Sequence, residues 1–525
     1  MEIKKKNFKL LLQFFFIFLL AFAIRFFFGY ATFGSIDIVN FKNYGAEAVA
    51  GSNLLPMPYF PFIYFLVTFS EFISRYFLLP FAICYKIVTI FFDSLIAILI
   101  FQVGNFKKIN FKKNLVITLI YIFCPVSILI TSIHGQFEAI VIFFLILILI
   151  IREYYKPNYK INFVTGGLIA FATIIKPYAI FFIYFAFPRT EISNFKNIYK
   201  FEILKHIKKF FFFTIGFLSV GSIFFIIFYL YDFDIIQNYR HVKNYALGAA
   251  RPLIFGLPFS DYFKTIYTFK YIIILSLYFF IILLDVTKKI DSFTSVAILF
   301  LVILASNGIA PQHLIWPVAF IILSSAFKVF FFYNLFVTLL LLIYYLNPSL
   351  SYSSFENMAT FASIKTLSWT SPNYQIIDFF ILFKNIFQIL SSTIMPFFFF
   401  LSIIYLFVMG LKKKIIVSSN SFLVNKHIFN KFLSYSLLFI LILIILSEFL
   451  LSSQFSYVKN LDYFSFDINY NVVQETVTRF WVGDYSKGSW YSVPIVLIMI
   501  SIINFLFFFL NSNVNKPQNG RKFIL

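Results

Sequence analysis

One carboxylate near the start of the chain, Asp37, lies where it could act on a substrate at a membrane surface. It follows the first long hydrophobic stretch, within segment 34–41, and a loop rich in glycine, proline and aromatic residues comes after it. An ionised aspartate in this position can take the proton from an acceptor hydroxyl during a displacement reaction. The alternative is an ordinary aspartate at the start of a short interfacial helix, where this residue is favoured. The pattern predicts a transferase whose substrates are carried on lipids.

Further polar side chains occur where hydrophobic stretches begin, end or break. His134, Gln136 and Glu138 form a turn between two such stretches, Lys176 precedes a proline that breaks another, and His313 lies where a turn enters a stretch. Each has a structural alternative: a tight turn, a lysine that extends towards water, or part of an interfacial aromatic belt. As functional groups they are predicted to line a substrate site at the membrane boundary, where they would hold a donor phosphate or sugar.

A cluster of basic residues, Arg240, His241 and Arg251, falls in a segment that the charge pattern assigns to the outer face. Basic residues in an outer loop run against the usual distribution in membrane proteins. Arginine and lysine bind phosphate by charge-assisted hydrogen bonds, and a phosphate leaving group needs its developing charge stabilised. The cluster is therefore predicted to contact the phosphate of a donor.

Asp93 and Lys86 lie two helical turns apart within one hydrophobic stretch. Charged residues inside a spanning helix are expensive and usually paired. The favoured interpretation is a buried ion pair with a structural role.

The composition is that of a membrane protein with many spanning helices. The chain has 525 residues, of which 61% are hydrophobic and only 12% charged, and its mean hydropathy is +0.89. A soluble domain has about 25% charged residues, and repeated apolar runs of about 20 residues are typical of spanning helices. A glycine loop for nucleotide phosphates is absent from the sequence, which disfavours a cytoplasmic nucleotide-sugar donor.

The net charge of +22 reflects basic residues in the short links between hydrophobic stretches, rather than a nucleic-acid-binding surface. Links of this kind are cytoplasmic, so both termini are predicted to be cytoplasmic and the long polar loops to lie outside. The predicted spans are 10–28, 81–104, 114–132, 138–151, 162–175, 177–188, 209–230, 269–285, 293–306, 314–327, 329–347, 386–409, 433–451 and 491–510.

The predicted fold is an all-α polytopic bundle of about fourteen transmembrane helices, with eleven as the lower bound. Interfacial helices are expected in the first outer loop, over 60–80, and the segment 162–188 is interpreted as two short helices that meet at Lys176. Residues 1–410 would form the catalytic module, and 411–525 a C-terminal helix pair with an outer loop. The first hydrophobic stretch is expected to be a retained anchor, since a cleavage site does not follow it.

These motifs resemble the GT-C superfamily of polyprenyl-phosphate-sugar-dependent glycosyltransferases. Over residues 10–190 the chain most resembles the catalytic subunit of glycosylphosphatidylinositol mannosyltransferase I and related bacterial mannosyltransferase-like proteins. The matching positions are Asp37, Phe41, Gly51, Tyr59, Phe60, Pro61, Asp93, Gly135, Gln136, Phe137, Glu138, Lys176 and Pro177. The chain departs from the family at Ser35, which replaces the first acid of a paired motif, and at Glu138, which replaces an aspartate.

The resemblance implies inverting transfer of a hexose such as mannose from a polyprenyl-phosphate carrier to a glycan, lipid or protein acceptor. Asp37 would be the general base, and Arg240, His241 and Arg251 would hold the donor phosphate. A cofactor is not expected, and the lone acid favours metal independence. The implied location is the bacterial cytoplasmic membrane, with the active site on its outer face, and nucleic acid is not an expected partner.

Three other functions fit parts of the pattern. A polysaccharide polymerase or ligase would use the same carriers and outer-loop arginines, without an essential aspartate in the first loop. A transporter or flippase of lipid-linked sugars would have structural repeats and polar groups near mid-membrane. A non-catalytic accessory subunit would tolerate loss of Asp37.

Overall fold

A computed structural model describes the chain over residues 2–31, 36–50, 62–187, 200–230, 264–287, 289–306, 311–346, 395–412 and 503–504. Every regular element in these ranges is a helix, which confirms the all-α prediction for this part of the chain. The predicted phosphate contacts Arg240, His241 and Arg251 lie outside the described residues. So do the predicted spans 433–451 and, apart from two residues, 491–510.

The elements follow one another along the chain with short connections. They are α1 (Glu2–Ala31), α2 (Ile36–Ala50), α3 (Phe62–Phe77), α4 (Phe81–Phe106), α5 (Phe111–Ile122), α6 (Pro125–Ser127), a π-helix (Ile128–His134), α7 (Glu138–Tyr154), α8 (Tyr159–Ile175), a 3₁₀ helix (Pro177–Phe182), α9 (Ile183–Ala186), α10 (Lys200–Leu230), α11 (Lys264–Val286), α12 (Ser292–Ser306), a second 3₁₀ helix (Pro311–Ile315), α13 (Val318–Leu323), α14 (Phe327–Leu346) and α15 (Met395–Lys412).

Four of the described helices are long and apolar enough to cross a membrane: Phe8–Tyr30, Phe81–Phe106, Phe111–His134 and Ile207–Ile226. Several shorter apolar helices accompany them, including those over 159–175 and 292–305. A spanning helix needs about 20 apolar residues, so these lengths fit a polytopic helical membrane protein. The total of fourteen spans stays a prediction.

Helix α4 lies at the centre of the bundle. Of the apolar 18-residue stretch of α4, 89% is buried, against 22% for the corresponding stretch of α1. Helix α4 packs against α1, α3, α5 and α7. The sequence of α4 is apolar on all sides, as expected for a helix surrounded by other helices. The outer surface of α1, by contrast, is apolar and exposed, and suits contact with lipid.

A buried ion pair joins α1 to α4. Asp93 accepts a hydrogen bond of 2.5 Å from Arg25 Nε, and both side chains are fully buried. The same carboxylate accepts hydrogen bonds from the hydroxyl groups of Tyr121, Ser127 and Thr131. The predicted partner of Asp93 was wrong: Lys86 donates to the carbonyl of Gly29 at 3.4 Å instead. Sequence spacing within one helix could not anticipate a partner on another.

Helices α8 and α10 approach each other backbone to backbone. A Cβ atom on Gly216 would lie 2.0 Å from the carbonyl oxygen of Phe163, and one on Gly166 would lie 2.1 Å from that of Phe213. Small residues at such crossings let helices pack closely in membranes, where burial alone does not drive association. The two glycines therefore fix the distance between α8 and α10.

The segment that is predicted to be the first outer loop contains the two helices α2 and α3. Helix α3 lies within the range 60–80 where helices were expected, and α2 precedes that range. They pack tightly, because a Cβ atom on Gly45 would lie 2.8 Å from the carbonyl oxygen of Val67. The two charged residues of α3 pair with each other, with 2.8 Å between Arg75 Nε and Glu71 Oε1. This packing holds α2, and with it Asp37, against the ends of the longer helices.

Another buried polar cluster lies at the far end of α7. Arg152, in the last turn of this helix, forms an ion pair of 2.5 Å with Asp285 of α11. Tyr184 and Ser292 donate to the same carboxylate, each at 2.9 Å. The cluster joins helices from distant parts of the chain, at the end of α7 opposite to Glu138.

Candidate active site

Asp37 lies in the first turn of α2, and its carboxylate contacts the turn that precedes α7. The side-chain amide of Gln136 donates a hydrogen bond to Oδ2 of Asp37. Nε2 of His134 lies 3.6 Å from the same oxygen and 3.1 Å from the Gln136 nitrogen. Two motifs that are separate in the sequence thus meet in one cluster.

The backbone of this turn explains how His134 and Gln136 reach one carboxylate. The π-helix 128–134 ends at Gly135, whose φ of +78° lies in the left-handed region that glycine adopts without strain. A Cβ atom at this position would also lie 2.7 Å from Cδ1 of Ile38, on α2. Gly135 is therefore required both by the turn and by the close approach of α2. Short π-helical segments are frequent at functional sites.

Burial raises the pKa of Asp37, but the contacts with His134 and Gln136, together with the positive charge of Lys176, outweigh this effect. The pKa of Asp37 therefore lies below its ordinary value of 3.8. Its side chain is 20% exposed, whereas that of His134 is 6% exposed. The carboxylate is ionised at neutral pH and partly accessible, so it can accept a proton from a ligand.

Lys176 and Glu138 form the next part of the site. Nζ of Lys176 lies 3.0 Å from Oε1 of the fully buried Glu138 and 4.3 Å from the centre of the Phe137 ring. Helix α8 ends at Ile175, Lys176 is extended, and Pro177 begins the 3₁₀ helix. The predicted break is confirmed, and it follows from the proline, which cannot continue a helix. The break turns Lys176 towards the start of α7.

A stack of three rings continues the site from Lys176. The ring centres of Tyr178 and Trp316 are 4.1 Å apart, and those of Trp316 and His313 are 4.2 Å apart. Burial, followed by the positive charge of Lys176, lowers the pKa of His313 to about 3. The imidazole is therefore neutral at physiological pH.

Several buried polar atoms around these residues make no hydrogen bond within the part of the chain that the structure describes. They are Tyr85 Oη, Gln136 Oε1, Glu138 Oε2, Tyr178 Oη and Trp316 Nε1. The negative charges of Glu138 and Asp37 both act on the Tyr85 hydroxyl. A buried polar atom without a partner costs roughly 1–3 kcal/mol, so a group of them marks a place that suits a polar ligand.

Tyr85, Tyr178 and Trp316 were not singled out as binding residues by the sequence. Aromatic residues make up 23% of the chain, so one more tyrosine or tryptophan carries little signal. Tyr178 follows Lys176 by two positions, and Trp316 follows His313 by three. This closeness in sequence to two predicted site residues was the available signal that they belong to the site.

The structure brings together six of the predicted site residues. They are Asp37, His134, Gln136, Glu138, Lys176 and His313. Asp93 belongs to the separate ion pair with Arg25. Among the described residues there is no group of three or more His, Cys, Asp and Glu side chains that could hold a metal ion, and metal independence stays a prediction.

The described residues form an all-helical structure with four helices that are long and apolar enough to cross a membrane, and with a buried polar site where several helices end. Comparison with protein-family models, curated proteins and solved structures gave no match for this chain. Its function must therefore be argued from its own residues.

Proposed function

We propose that the protein is an integral-membrane glycosyltransferase that moves a hexose from a polyprenyl-phosphate carrier to an acceptor on the non-cytoplasmic face. The observation that carries the proposal is the partly exposed, ionised Asp37, which Gln136 and His134 hold beside a group of buried polar atoms without partners. This arrangement supplies a positioned base and a surface for a hydroxylated ligand.

In the proposed reaction Asp37 takes the proton from the acceptor hydroxyl as its oxygen attacks the anomeric carbon. The bond between that carbon and the carrier phosphate breaks, and the polyprenyl phosphate leaves with the bonding electrons. Attack opposite the leaving group inverts the anomeric configuration. A single displacement needs one base, whereas hydrolases use two carboxylates. The outer-loop residues Arg240, His241 and Arg251 are the proposed contacts of the leaving phosphate.

The distribution of charge supports a site on the outer face. Glu138 and Arg152 lie at opposite ends of α7, and Arg152 belongs to one of the basic links that are expected to be cytoplasmic. The end with Glu138, Lys176 and Asp37 would then face outwards, where lipid-carried sugars are the donors.

A transporter is supported less well. It predicts functional charges near mid-membrane. Asp93 lies near the middle of α4, and its partner Arg25 lies in the C-terminal part of α1. These bind each other, and three hydroxyl groups complete the shell of the carboxylate. An ion pair whose carboxylate is fully hydrogen-bonded is better suited to holding two helices together than to binding a transported substrate.

The test compares the purified wild type with Asp37→Asn and with Glu47→Gln, which changes another carboxylate of the same helix. Each is given a panel of polyprenyl-phosphate sugars and a membrane lipid extract as acceptor. We expect sugar transfer to fall by about 10²–10⁴-fold in Asp37→Asn, the usual contribution of a general base, and to persist in Glu47→Gln. Equal activity of all three proteins would refute the role of Asp37. Absence of transfer by the wild type, in native membranes as well, would refute the glycosyltransferase proposal.

A further inference from the structure

The ion pair of Glu138 and Lys176 lies between the proposed base and a wall of aromatic rings. Lys176 Nζ lies 3.0 Å from Glu138, two residues after Gln136, which donates to Asp37. The positive charge of Lys176 also contributes to the lowered pKa of Asp37 and of His313. On the aromatic side, the negative charge of Glu138 acts on the Tyr178 hydroxyl. The ring centres of Tyr178 and Trp316 are 4.1 Å apart. This part of the site is continuous with the reaction centre.

The charges here are unfavourable for a phosphate. Asp37 and Glu138 contribute two carboxylates, His313 is neutral, and Lys176 is already 3.0 Å from a Glu138 oxygen. A phosphate next to Lys176 would meet carboxylates as close neighbours, and like charges repel strongly where water is excluded. Known phosphate contacts use basic groups that are available for charge-assisted hydrogen bonds.

The same groups suit a neutral polyol. A sugar hydroxyl can donate to a carboxylate oxygen and accept from an ammonium group, so it can bind a Glu–Lys pair without displacing either partner. Oε2 of Glu138 is buried without a hydrogen bond among the described residues, and so are Tyr178 Oη and Trp316 Nε1. They add an acceptor and two donors around the pair.

The aromatic rings add a surface for the apolar side of a sugar ring. The half-buried ring of Tyr178 presents this surface. The ring of Trp316, which is 5% exposed, supports it, with 4.1 Å between the ring centres and a tilt of 37°. Buried aromatic residues with a polar edge normally find a hydrogen-bond partner. A pyranose offers both a face of C–H groups and equatorial hydroxyls, and so matches a rigid aromatic surface edged by donors.

We propose that Glu138, Lys176, Tyr178 and Trp316 form the subsite for the neutral hexose ring of the donor, and that Lys176 does not bind the donor phosphate. The proposal rests on the proposed glycosyltransferase function. It divides the site into a base at Asp37, a sugar subsite at Glu138 and Lys176, and a phosphate site elsewhere.

The first test uses methyl hexosides, which contain a sugar ring without a carrier. Saturation-transfer NMR of the full-length protein in detergent should detect transfer to the ring protons in the wild type and in Asp37→Asn. We expect at least tenfold weaker binding in Trp316→Ala and in the double variant Glu138→Gln/Lys176→Met, which keeps the pair neutral. Undiminished binding in both variants, at normal thermal stability, would overturn the proposal, as would absence of binding by the wild type.

The second test separates sugar from phosphate. Affinities for polyprenyl phosphate and for polyprenyl-phosphate hexose are measured for the wild type and for the same double variant. We expect the variant to lose about tenfold or more in affinity for the sugar-bearing carrier and to keep its affinity for the bare carrier. Equal losses for both carriers would place the phosphate at Lys176 and overturn the proposal. A third outcome is that the wild type binds methyl hexosides but transfers sugar from none of the carriers. That result would overturn the proposed glycosyltransferase function, while the sugar-binding subsite would remain supported.

Discussion

The amide of Gln136 donates to the carboxylate of Asp37, and His134 approaches the same carboxylate oxygen. The two bonded residues are 99 positions apart, on α2 and on the turn before α7. Because both contacts favour the charged form, they overcome the effect of burial on the Asp37 pKa. The turn therefore keeps this partly exposed aspartate in the state that a general base requires.

The lowered pKa of Asp37 predicts an unusual acidic limit for the proposed transferase activity. A carboxyl group with a lowered pKa stays ionised as the pH falls through its ordinary titration range near 3.8 and is protonated only below it. Transfer activity should therefore persist through that range and decline only at lower pH. The stability that ionised Asp37 contributes is complete above about 3.8 and is lost as the pH falls from there through the lowered pKa. The pH dependence of kcat/KM, measured in short assays at each pH, tests this expectation.

Gln136→Ala should move the acidic limit to higher pH, because it removes a donor and leaves the effect of burial in place. Gln102→Ala, the same substitution at a buried glutamine of α4 without a hydrogen bond among the described residues, serves as the matched control and should leave the limit unchanged. An identical acidic limit in the wild type and in Gln136→Ala would contradict the assigned role of the hydrogen bond.

Asp93→Asn should destabilise the protein strongly. The substitution leaves Arg25 fully buried without its carboxylate partner, and breaking a buried pair in this way typically costs about 3–5 kcal/mol. Thermal unfolding in detergent, followed by size-exclusion chromatography, would report the loss. The double variant Arg25→Met/Asp93→Leu removes both charges and should recover much of the stability. Asp93→Asn with wild-type stability would show that the ion pair is not a structural joint.

Gly216→Ala should separate α8 from α10. Its new methyl group would lie 2.0 Å from a backbone carbonyl of Phe163, a contact that a rotamer change cannot relieve. We expect a loss of about 1–3 kcal/mol, typical of overpacking. Gly221→Ala provides a control on the same helix, since its Cβ atom would meet nothing within 4 Å. Alanine favours a helix by about 1 kcal/mol over glycine, so this control should be neutral or stabilising.

Much of the described fold followed from hydrophobic stretches and from single residues that break them. Pro177 located the end of α8, and the segment 60–80 contains the helix Phe62–Phe77 as expected. The polar turn at 134–138 does approach Asp37. Local sequence could indicate these features because their causes, apolar length and the geometry of proline, are themselves local.

Features that depend on tertiary contacts were missed. Arg25 is the single charge of the predicted span 10–28 and was not among the predicted functional or structural residues, although it forms an ion pair with Asp93 across 68 positions. The π-helix before Gly135 has no clear sequence signature. Tyr85 and Trp316 were hidden in a chain rich in aromatic residues, and only their burial without hydrogen-bond partners, within the described ranges, distinguishes them.

The Arg25–Asp93 pair also bears on the biogenesis of the protein. During synthesis α1 emerges first, with Arg25 in the C-terminal part of its apolar span, Phe8–Tyr30. Its partner is translated 68 residues later, in α4. Until α4 arrives, the guanidinium of Arg25 can reach water only by extending towards the membrane surface, as arginines near helix ends do. Packing of α1 against α4 then buries this charge beside Asp93, so the final position of α1 depends on a helix that is made later.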